Sequence, residues 1–151
     1  MQILEFFLYI VWLGSLVGIA FIAAPAAFAH APAREAGAII GASLRTLTWL
    51  TWLCGGLILI IWLGRIPVDG RMAILAALLV ALAVGTTDYV QGSLAPRMDA
   101  IVAAVPDSID ALPPGDVRRR TFEALHRRSS NAYGLVLICG FVAAALSAAR
   151  R

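Results

Sequence analysis

An all-α integral membrane four-helix bundle is the fold class that this chain predicts, and three observations carry the prediction. Hydrophobic residues make up 61% of the 151 residues and charged residues only 14%, against roughly 45–50% and about 25% in soluble domains. Four apolar stretches approach or reach the ~20 residues that a helix needs to cross the hydrocarbon. The charges gather where those stretches end. A water-soluble domain of this size has no interior for so much apolar surface, so the excess has to face lipid. One transmembrane domain over 1–151 is expected, with no room for a separate soluble enzyme domain.

The first span is expected at 3–24, with Glu5 as its one charge. Its end, Ala27-Phe28-Ala29, resembles a signal-peptidase site. The run before it is too long for a signal h-region and lacks a basic start, so a retained helix is expected. The second span is expected at 46–63, inside a longer helix from Ala33 to Leu63 that Pro32 opens. Gly64, Arg65, Pro67 and Gly70 then form a tight turn. The third span is expected at 72–90, ended by Pro96, with Met98 to Val105 as a short interfacial helix beyond it. Asp116 is placed to cap a helix that leads into the fourth span, 130–149, closed by Arg150 and Arg151. Lipid offers the backbone no hydrogen bonds, so segments of this kind are helical. No internal repeat is evident.

All twelve basic residues are arginine. With the alanine runs this suits a GC-rich bacterial genome, and a multi-pass protein of the inner membrane is the expected localisation. Four spans put both termini on one side with Arg65, Arg71, Arg150 and Arg151, and eight arginines on the other. That bias places the eight in the cytoplasm. Arginines beside a membrane are topogenic, so the basic balance does not imply nucleic acid. The lipid bilayer is the expected partner, joined by a second copy or another membrane protein. Two GxxxG patterns, Gly14 to Gly18 and Gly37 to Gly41, mark expected helix contacts.

The chemistry is sought at the arginine-rich end. On a helix Phe122, His126, Ser129, Ser130 and Tyr133 fall near one face, and Glu123 can pair with Arg127. His126 there either binds haem or a metal, or relays protons. In its structural reading it hydrogen-bonds a loop carbonyl or Ser129. His30 lies at the same end, and two imidazoles can ligate haem axially. Cys54 and Cys139 share a depth at which two thiolates can hold Cu(I), but isolated cysteines in alanine-rich helices are more often small packing residues, which is the expected reading. Asp88 is expected to pair with Arg45 or Arg97. Arg97 and His126 are the expected cofactor-binding residues, forming one polar cluster. No metal motif, catalytic residue or phosphate loop is apparent.

Pro25-Ala26-Ala27-Phe28, Ala36-Gly37, Leu94-Ala95-Pro96-Arg97-Met98 and Phe122 through His126 to Ser129 together resemble, in order and spacing, domain-of-unknown-function family 4149, which includes transmembrane-protein-205-like proteins. The resemblance implies four membrane helices and no established catalytic activity. It carries over to Pro25, Phe28, Pro96, Arg97, Phe122, His126 and Ser129; His30 departs from it, and Asn131 takes no role. More distantly the chain is similar to copper-resistance-D-like and protoporphyrinogen-oxidase-like membrane proteins, which keeps haem or copper as a ligand class. The expected function is a non-enzymatic structural, interaction or transport-associated bundle. The alternative is a haem- or copper-binding oxidoreductase subunit with His126 as ligand.

Overall fold

The computed structural model describes residues 2–149; Arg150 and Arg151 lie outside the described residues. Four long apolar helices run in sequence: α1 Gln2–His30, α2 Ala33–Gly64, α3 Arg71–Ala103 and α4 Val117–Ala148. Each packs antiparallel on the next, and α4 closes back on α1. The chain is therefore an all-α membrane bundle with up-down-up-down topology. α1, the shortest, has 29 residues, which is about 44 Å at the helical rise and longer than the ~30 Å hydrocarbon layer. The helices accordingly extend past the lipid-facing belt. Ile10, Leu57, Ile60, Leu78 and Ile138 are exposed in that belt, where lipid tails cover them.

Topology gives a direct test. Reporters fused after Ala149 and within 106–115 should give opposite signals, and identical signals would contradict four crossings.

The tight turn after α2 is one helical turn, Ile66–Asp69, braced by an Arg65–Asp69 ion pair at 2.8 Å. Gly70 follows at φ +54°, a backbone conformation that costs glycine least.

One proline behaves differently from expectation. Pro96 does not end α3, and the segment expected as a separate interfacial helix is the last part of the same helix. A π-turn at Val90–Leu94 precedes Ala95-Pro96, and another at Ile19–Ala23 precedes Ala24-Pro25 in α1. Proline lacks an N–H and its ring crowds the carbonyl four residues back. Widening the turn by one residue makes room for the ring, and the helix continues.

The matching π-turns belong to a repeat that the sequence does not display. The interval from Pro25 to Pro96 also relates buried Glu5 to Ala76, Tyr9 to Val80, Trp12 to Ala83 and Leu16 to Thr87. A second constant interval relates α2 to α4: Thr51 to Val136, Cys54 to Cys139, Gly55 to Gly140, Ile58 to Ala143 and Trp62 to Ser147, all buried. The bundle is thus two helical hairpins that share one burial register. At several equivalent central positions the first hairpin supplies the larger side chain (Tyr9, Trp12, Ile58, Trp62) and the second the smaller. Bulk from one half fills the space left by the other, which is how a dense core is reached.

The close approaches between helices also differ from expectation. A Cβ on Gly14, Gly18 or Gly37 would meet nothing within 4 Å, and one on Gly41 would meet only Arg45 of its own helix. The GxxxG faces therefore point away from the bundle. Among the glycines, Gly55 and Gly140 are the ones another helix presses against. A Cβ on Gly55 would lie 2.7 Å from Val84 Cγ2 and 3.7 Å from Trp12, and one on Gly140 would run into Leu13.

Candidate functional site

At the arginine-rich end, much of the basic charge holds backbone in place. Arg34 donates to the carbonyls of Val105, Pro106 and Asp107, just past the end of α3. Arg119 donates to Asp110 and Leu112, and Arg120 to Gly115. These guanidinium contacts satisfy carbonyls that a loop leaves without partners. Asp116 caps α4 as the sequence predicts, accepting from the Arg118 amide at 2.8 Å and from its guanidinium.

The Asp116 carboxyl is held down from 3.8 to about 2, first by the Arg118 side-chain hydrogen bond and then by the Arg118 amide. A depressed acid stabilises the fold fully above its ordinary value and loses that contribution as pH falls through the folded one. The cap should therefore persist until the pH approaches 2. A carboxyl-carbon NMR titration that places the midpoint in the ordinary aspartate range would contradict this. Asp116→Ala should speed amide exchange at Arg118 and leave the middle of α4 protected.

Other ion pairs depart from the expected partners. Glu123 reaches back to Arg119 at 3.0 Å and not forward to Arg127. Arg119 is fixed by the loop carbonyls it also holds, so it is the better-placed cation. Asp88 pairs with neither Arg45 nor Arg97; it accepts from Trp52 Nε1 at 2.6 Å. Arg45 is engaged with Asp99 at 3.3 Å.

Arg97 reaches one face of α4 from α3, and His126 stands on a different face of α4. Arg97 lines an open groove of about 500 Å³ with Thr121, Leu125 and Arg128. His126 is exposed on the neighbouring face, its ring stacked on Phe122 at 6.1 Å with 4° between planes. The face expected to carry five residues divides: His126 and Ser130 stay outside, Phe122 is half-buried, Ser129 is buried, and Tyr133 turns inward to accept from Gln91 at 2.7 Å. His30 is tied to its own helix through the Ala26 carbonyl at 2.9 Å. Cys54 and Cys139 are buried free thiols on helices that face each other diagonally. Among the described residues no group of three or more His, Cys, Asp or Glu is placed to hold a metal ion.

The most enclosed polar centre lies at the other end, and sequence reasoning passed over it. Glu5 is fully buried, as are Trp62 and Ser147, and Tyr9 is 2% exposed. Tyr9 stands one turn from Glu5 on the same face, and its hydroxyl accepts from Trp62 Nε1 at 3.0 Å. Leu13 against Gly140 sets the antiparallel register of α1 and α4, which carries Ser147 to the level of Glu5. A deeper pair, Trp12 Nε1 donating to Thr51 Oγ1 at 3.0 Å, continues the polar track. A single acid at the head of an apolar run was the available signal. Its burial depends on α2 and α4, far off in sequence.

A family model described as a domain of unknown function, DUF4149, matches residues 7–105. The matched segment contains Pro25, Phe28, Pro96 and Arg97, and it ends before Phe122, His126 and Ser129. No curated protein and no solved structure matches the chain.

Proposed function

Since the chain belongs to the domain-of-unknown-function family DUF4149, we propose that it is a non-enzymatic, transport-associated bundle of the inner membrane with Glu5 at its working centre. The arginine-rich end faces the cytoplasm in this reading. One observation carries it: a carboxyl group is enclosed completely within a bundle whose outer faces are apolar. Acids inside membrane helices are costly to insert and usually mark ion or proton pathways. Glu5, the Tyr9 hydroxyl and Ser147 form an oxygen-rich centre suited to a small monovalent cation, the proton included.

The test is ion flux into liposomes that contain purified protein, driven by a potassium diffusion potential and read with pH- and sodium-sensitive dyes. The wild type should exceed empty liposomes in one of the two dyes, and Glu5→Gln, nearly isosteric, should fall to the empty level. Equal flux in wild type and variant, or none in either, would refute the proposal.

A second reading has its own support. The exposed His126 ring makes no hydrogen bond among the described residues and is braced by Phe122, so its nitrogens are free to ligate haem or copper. Arg97, which reaches α4 from α3, would offer a counter-charge to a haem carboxylate. An absorption spectrum of detergent-purified protein with a Soret band lost in His126→Ala, or copper lost in the same variant, would favour that reading over the first.

A further inference from the structure

The seam between α2 and α3 carries a site of a different kind. Arg45, Thr48, Trp49 and Trp52 follow one another at helical spacing on α2 and line an open groove with Gln91 of α3. Trp52 is fixed across the seam by its bond to Asp88 at 2.6 Å. Trp49 stands beside it, ring centroids 5.8 Å apart and planes at 59°, so the two indoles form an open corner.

Along the seam the chemistry changes in a fixed order. Toward the short turn, Leu53 and Leu57 of α2 and Leu78 and Leu82 of α3 are exposed on the lipid-facing surfaces beside the seam. The exposed indoles of Trp49 and Trp52 come next, at a depth typical of the membrane–water boundary. Arg45 and Asp99 lie beyond them. Apolar tails, an amphipathic middle and a charged end follow the same order in a phospholipid.

The charge balance narrows the ligand further. Arg45 and Asp99 are 3.3 Å apart, with side chains 54% and 65% exposed. An exposed pair of this kind contributes little to the fold, so both partners are available to a ligand. One cation beside one anion complements a headgroup that itself carries both signs. We propose that this seam binds a zwitterionic aminophospholipid, with its phosphate on Arg45, its ammonium on Asp99 and its glycerol region against Trp49 and Trp52. An anionic lipid would gain Arg45 and meet Asp99 unfavourably. Free phosphate would gain Arg45 alone, without the indole and leucine contacts. This inference is independent of Glu5, which lies at the opposite end of the bundle.

The experiment is native mass spectrometry of the full chain in detergent, titrated with phosphatidylethanolamine, phosphatidylglycerol or inorganic phosphate. Phosphatidylethanolamine should bind about fivefold tighter than phosphatidylglycerol, the scale of one interfacial charge. Arg45→Ala should weaken both lipids. Asp99→Asn should reverse the preference, and that reversal cannot arise from unfolding. Equal binding of the two lipids by the wild type, an unchanged preference in Asp99→Asn, or phosphate competing as well as lipid would each overturn the proposal.

Discussion

Gly140→Val is expected to lower the melting temperature of the detergent-solubilised protein sharply, whereas Gly14→Leu and Gly18→Leu leave it unchanged. At Gly140 the first added carbon runs into Leu13 of α1, and valine adds two more in the same space. Leu13 is 3% exposed and belongs to the main core cluster, so it has little room to turn away. Overpacking of this kind costs about 1–3 kcal/mol. At Gly14 and Gly18 nothing lies within 4 Å of the new carbon, so leucine there only enlarges a lipid-facing surface. Equal melting temperatures for Gly140→Val and wild type would show that α1 and α4 are not held at this distance. A large loss from Gly14→Leu would show that the exposed face packs on something in solution.

Trp12→Ala is expected to be the most damaging single change in the chain. The indole is fully buried, it donates to Thr51 at 3.0 Å, and its ring packs beside Gly55. Removing such a side chain costs about 3–5 kcal/mol in transfer and cavity terms. An orphaned buried hydroxyl on Thr51 adds about 1–3 kcal/mol. Trp12→Phe separates the two contributions, because it keeps much of the volume and loses the donor. In Trp12→Phe combined with Thr51→Val neither residue retains an unpaired group, so the double variant should melt above the sum of the single losses. Strict additivity would mean that the hydrogen bond contributes nothing beyond packing.

Crossing number, helical class and the Asp116 cap were legible because each rests on local chemistry: long apolar runs, and a short acid just before a helix. The rotation of each helix about its axis was not. Lipid-facing and core-facing positions are both apolar here, as at exposed Ile10 and buried Leu13, so periodicity gives no contrast between them. For that reason the GxxxG residues and Gly55 or Gly140 looked alike in sequence, although only the latter pair meets another helix. Pro96 does not end α3 because a proline signals a break only when the helix cannot widen by a residue. The partners of Glu123 and Asp88 were underdetermined, since several donors lie within reach of each. At the candidate sites, the sequence brought out His126 and Arg97 from their residue types. Glu5 gains its enclosure from helices distant in sequence, which no local pattern encodes.

The unequal division of bulk between the two hairpins has a consequence for assembly. Two copies of the first hairpin, set in the same register, would force a second set of Tyr9, Trp12 and Trp62 side chains into a centre already filled. Two copies of the second would face each other across Ala83, Ala143 and Ser147 and leave it hollow. Neither half can replace the other, and the turn at Ile66–Asp69 ties together two pieces that already select each other by shape. The molecule is in this sense an obligate heterodimer written as one chain, guarded against self-pairing of either half by volume alone.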